Sequence, residues 1–67
     1  MEYKVIVQDR KDYYEVTSCY RRKTDSDSWV NFGKPKEGTL EETVLSSALR
    51  IAHERRKKRT RVIIKLD

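Results

Sequence analysis

Six of the seven residues in the segment 55–61 are cationic: Arg55, Arg56, Lys57, Lys58, Arg59 and Arg61, with Thr60 as the exception. Charges this dense displace the counterions condensed on a nucleic acid. They give an affinity that ignores base sequence and depends steeply on salt. Arg50 and His53 extend the basic set backwards along the chain. Arg21, Arg22 and Lys23 form a second basic group. Tyr13 and Trp29 offer ring faces on which unpaired bases stack, a contact worth about 1–3 kcal/mol per base. Each of these features also has a structural use. Cations in a last helical turn complement the macrodipole, Arg50 with Glu54 and Glu54 with Lys58 have the spacing of ion pairs, and aromatic residues in strands pack across to their neighbours.

Groups suited to catalysis are sparse. His53 has no Cys or Ser nucleophile at a recognisable spacing, and Cys19 is the one cysteine of the chain. The expectation is a protein that is not an enzyme and needs no cofactor or metal. One cysteine also forbids an intramolecular disulfide and a multi-thiolate zinc site, which points to a reducing compartment or to indifference to redox state, and the expected location is cytoplasmic. Four carboxylates need separate attention. Asp9 and Asp67 end strands, and Glu41 and Glu42 open a helix, so the expected topology brings carboxylates to one edge, where they would suit Mg²⁺ and phosphodiester hydrolysis. The same residues also serve as a turn former, a chain end and a helix start.

The elements that must position these groups follow from periodicity. Residues 3–8 are β-branched and aromatic, with Val5, Ile6 and Val7 consecutive, as in a central strand covered on both faces. Residues 13–22 alternate, with Tyr14, Val16 and Tyr20 expected on one face and Tyr13, Thr17 and Cys19 on the other. The Asp and Ser residues of 24–28 are turn formers, and 29–32 resumes a short strand. Thr39 followed by Glu42 matches a capping box, and Val44, Leu45, Ala48, Leu49, Ile51 and Ala52 make one stripe of a helix over 40–57. Residues 61–66 form a last strand.

With 67 residues and a net charge of +5, the chain is one small α+β domain of β-β-β-α-β order. The expected architecture is a four-stranded mixed sheet in the order 3-2-1-4, with the last strand parallel to the first and one helix packed on one face. The opposite face should carry some of Tyr3, Tyr13, Thr17, Cys19, Trp29, Arg61, Ile63 and Lys65. Residues 21–23 should lie beside 55–61 and complete one positive edge. No run of about 18 apolar residues and no charged amino terminus followed by an apolar stretch is present, so neither a membrane span nor a signal peptide is expected.

Three antiparallel strands, a helix with early acidic residues, and a parallel strand ending in Asp67 resemble the first half of a ribonuclease H fold, the segment 39–67 carrying the likeness. Residues 14–33 followed by a helix are similar in outline to the arm-DNA-binding domains of tyrosine recombinases, whose three-stranded sheet enters the major groove. Both resemblances imply nucleic acid. The expected function is a small basic module that binds DNA or RNA through phosphates, without sequence specificity, at its helix-strand junction. The competing expectation is a protein-binding regulator or inhibitor of the kind encoded by a virus or mobile element. It would meet an acidic host protein through the basic edge or the open face, with Tyr3, Tyr13, Trp29 and Ile63 as anchors. A homodimer paired through an outer sheet edge is a further expectation.

Overall fold

The computed structural model describes residues 1–66. Strand β1 (Glu2–Asp9) lies at the centre of a four-stranded sheet, flanked by β2 (Tyr14–Arg22) and β4 (Arg59–Lys65), and β3 (Val30–Asn31) completes the order β3-β2-β1-β4. Helix α1 (Leu40–Arg55) covers one face. The α+β class, the strand order and the single covering helix are as the sequence led us to expect.

The direction of β4 is not. It pairs antiparallel with β1, Glu2 opposite Lys65 and Gln8 opposite Arg59, so the sheet is antiparallel throughout rather than mixed. The cause is the brevity of β3. Its two residues pair with Tyr20 and Arg21 at the far end of β2, so the chain leaves the sheet beside the start of β1. α1 then runs the length of the sheet toward the end of β1, and β4 returns. The parallel last strand of the ribonuclease H outline is therefore absent.

Alternation along β1 divides its residues cleanly. Tyr3, Val5 and Val7 face α1 and pack with Val44, Ala48 and Ala52 of the helix and Val62 of β4, forming the buried core. Each fully buried Val contributes on the order of 1.5–3 kcal/mol of transfer free energy. The small helix residues Ala48 and Ala52, both 0% exposed, let α1 sit close to the sheet. Thr39 caps the helix, its hydroxyl accepting from the Glu42 N–H at 3.4 Å, while the Glu42 carboxylate takes the Gly38 N–H at 3.0 Å. The reciprocal bond thus reaches one residue earlier than in an ideal capping box.

β2 carries a bulge. Ile6 pairs with Ser18 and Val7 with Val16, leaving Thr17 as the extra residue, whose hydroxyl donates to the Ile6 carbonyl at 3.3 Å. One inserted residue reverses the parity of everything beyond it. Tyr14 and Val16 pack against the core, but so does Cys19, and Tyr20 goes to the open face instead of sharing a face with Val16. Tyr3, expected to be available on that open face, is buried beneath the helix at 2% exposure.

Candidate nucleic-acid interface

The junction between α1 and β4 is short and tied down. α1 ends at Arg55, Arg56 takes a left-handed conformation with φ 52° and donates its N–H to the Ala52 carbonyl at 3.1 Å, and β4 begins at Arg59. Two residues, Lys57 and Lys58, make the link, and the Lys58 carbonyl accepts the Asp9 N–H at 2.9 Å, anchoring the link to the end of β1. Helix and strand therefore each run two residues off the expected bounds, the helix ending at 55 and the strand starting at 59.

All six cations of this segment are exposed, whereas Thr60 is buried at 3%. Thr60 interrupts the cationic run because it pairs with Val7 and faces the core. Among the described residues, ion pairs join Arg10 to Glu15, Arg21 to Glu41 and Arg22 to Glu2, and none involves residues 55–61. The helical pairs that Glu54 could make with Arg50 and Lys58 are not formed. Among the described residues, no carboxylate forms an ion pair with the cations of the junction.

The second basic group lies elsewhere. Arg22 pairs with Glu2 and Arg59 with Gln8, six positions apart on β1, which at about 3.4 Å per residue separates the groups by about 20 Å. Residues 21–23 do not join the junction, because β4 descends from the end of β1 at which β2 begins, not the end at which β2 finishes. Two of the three are also partly neutralised. Arg22 holds a Glu2 carboxylate oxygen at 2.8 Å and Arg21 approaches Glu41 at 3.9 Å.

The sheet face away from α1 is a cationic and aromatic surface. Arg59, Arg61, Ile63 and Lys65 alternate along β4, Lys4 and Ile6 along β1, and Tyr20 and Arg22 along β2. The Lys4 ammonium lies 4.9 Å from the centres of both the Tyr20 and Trp29 rings, and the Arg22 guanidinium lies 4.1 Å above Trp29. These contacts put Trp29 on this face. Tyr13, 59% exposed, sits in the β1–β2 turn. Lys4 and Tyr20 were missed by the sequence reading. Alternation around Tyr3 and Val5 marked Lys4, whereas the bulge concealed Tyr20.

The remaining candidates do not assemble into a catalytic group. The His53 ring meets that of Tyr14 at a tilt of 48° with ring centres 4.2 Å apart, and the two line a shallow depression with Asp9, Arg50, Glu54 and Arg56. The Cys19 thiol is buried and donates to the Gly33 carbonyl at 3.0 Å, and burial pushes its pKa up, away from thiolate chemistry. The carboxylates do not converge. Asp9 accepts the Lys11 N–H at the end of β1 near the junction, whereas Glu41 and Glu42 sit at the start of α1, at the opposite end of the sheet. Asp67 lies outside the described residues. Among those residues, no group of three His, Cys, Asp or Glu side chains could hold a metal ion, and no helix is long and apolar enough to cross a membrane. Comparison with protein-family models, curated proteins and solved structures returns no match to this chain.

Proposed function

We propose that this protein binds the phosphate backbone of nucleic acid, without catalysis and without base specificity, through Arg55, Arg56, Lys57, Lys58, Arg59 and Arg61. The observation that carries this reading is the absence of any carboxylate partner, among the described residues, for six exposed cations on a tethered junction. Macrodipole complementation accounts for cations in the last helical turn, but it fades within that turn and does not reach Arg59 and Arg61 on β4. A polyanion supplies the missing countercharge. Arg50 and His53 flank the junction on α1 and widen its footprint. Such a role belongs in a compartment that holds nucleic acid, and Cys19, the one cysteine of the chain, calls for no oxidising environment. The test is the combined variant Arg55→Gln, Arg56→Gln, Lys58→Gln and Arg59→Gln. It should weaken binding to all sequences alike and flatten the plot of log affinity against log salt by about 0.9 per lost duplex contact. Unchanged binding removes the assigned site.

A second reading, a protein-binding regulator, draws support from β4 as an outer strand with Ile63 45% exposed between Arg61 and Lys65. An acidic extended segment could pair with that edge. Tyr3, buried in the core, takes no part in it. Failure of the chain to bind any nucleic acid, together with saturable capture of an acidic peptide, would favour this reading.

A further inference from the structure

We propose that the nucleic acid is single-stranded and lies along β4 across the open sheet face, its phosphates on Arg59, Arg61 and Lys65 and its bases against Tyr20 and Trp29. This rests on the phosphate-binding reading above and names the form of nucleic acid it takes.

Three observations converge. The first is cover: α1 packs on one face and no element covers the other, which nevertheless bears two aromatic rings held in place. The second is charge. Glu15 is bound by Arg10, and Glu2, which lies opposite Lys65, is bound by Arg22, so Arg59, Arg61 and Lys65 stand along β4 without an ion pair among the described residues. Arg59 and Arg61 lie about 6.8 Å apart along the strand and Lys65 about 13.6 Å beyond Arg61, with Ile63 between, which matches one and then two phosphate steps of an extended strand. The third is register. Ile63, Lys4, Tyr20 and Asn31 form one line across all four strands, so a base projecting from a backbone on β4 crosses Lys4 and meets Tyr20, with Trp29 beside it.

The rings are not idle in the free protein. Lys4 lies over both as a cation–π partner, while Arg22, held by Glu2 at 2.8 Å, covers Trp29. A base that stacks on Tyr20 in place of Lys4 makes a stronger contact than an exposed cation–π pair, and the released Lys4 meets the phosphate arriving with that base. A duplex cannot make this exchange, because its base faces are already stacked on one another.

The chain's one tryptophan, Trp29, reports on the proposal directly. Trp29 emission would be followed as the protein is titrated with a short oligothymidylate, an oligouridylate of equal length and a duplex, while anisotropy of labelled strands measures binding independently. The proposal expects saturable quenching by the single strands and tighter binding of them than of duplex. Tyr20→Leu, which keeps an apolar side chain beside Lys4, should lower single-strand affinity about tenfold and leave duplex affinity unchanged. Binding that leaves Trp29 emission unmoved, or duplex bound as tightly as single strand, overturns the placement on the sheet face while the phosphate reading stands. No binding to any strand at low salt overturns both.

Discussion

The Tyr3 hydroxyl donates to the Glu41 carboxylate at 3.0 Å, joining residues 38 positions apart and fastening the first turn of α1 to the start of β1. Phe32 closes the same corner, its ring edge-on to Tyr3 at 5.8 Å between centres. This corner sets where the helix begins. Because α1 then runs the length of the sheet, it also sets where the cationic junction falls.

Replacing Tyr3 with Phe keeps the ring and removes the bond. The expected cost is about 1–2 kcal/mol, since a hydrogen bond to a charged acceptor is lost and Glu41 retains some access to water. Urea unfolding at neutral pH measures it. Burial, then the bond to Glu41 and that residue's negative charge, raise the Tyr3 pKa above its ordinary value near 10, against a smaller lowering by Arg21. A raised pKa gives stability that is complete below the unfolded value and lost as pH climbs through the folded one. The wild-type protein should therefore lose stability above about pH 10 more steeply than Tyr3→Phe.

Cys19 obeys the same logic at lower pH. Its thiol is pushed up by burial, so the folded protein should resist alkylation at pH 8 and react only at the rate of opening. Mass spectrometry after a timed iodoacetamide pulse, native against urea-unfolded, checks this. Rapid modification of the native chain would contradict the burial of Cys19 against Gly33.

Thr60 presents a buried hydroxyl with no hydrogen-bond partner among the described residues. Thr60→Val keeps the shape, removes the orphaned group and should stabilise the fold by about 1 kcal/mol. The salt dependence of nucleic-acid binding should not move, because Thr60 faces the core rather than the junction surface. Thermal unfolding and anisotropy together test both halves of the statement.

Most of the elements, the strand order and the helix cap were legible in the sequence because they depend on local periodicity and on short-range chemistry, such as Thr39 with Glu42. What escaped was set by single residues acting at a distance. The termination of β3 after Asn31 reverses β4, and the extra residue Thr17 sends Cys19 inward and Tyr20 outward. Neither leaves a mark in hydropathy. The cations of 55–61 could be read as a group because they are contiguous, whereas the partners that neutralise Arg21 and Arg22 lie on other elements, at Glu41 and Glu2.

That separation makes the two basic groups unequal. Neutralising Arg55 and Lys58 together should reduce the salt slope by nearly two contacts, whereas neutralising Arg21 and Lys23 should change it by less than one, because Arg21 already faces Glu41. Equal effects from the two pairs would show that the strand engages both ends of the sheet alike.

The central claim is tested most directly by the affinity of the wild-type chain for a labelled strand, measured by anisotropy across a range of salt from low to above physiological. Phosphate binding by the junction predicts a straight line of log affinity against log salt. Its slope should be on the order of −3 to −4 for a single strand if about five cations make contact. A flat line, or no binding at the lowest salt, contradicts it.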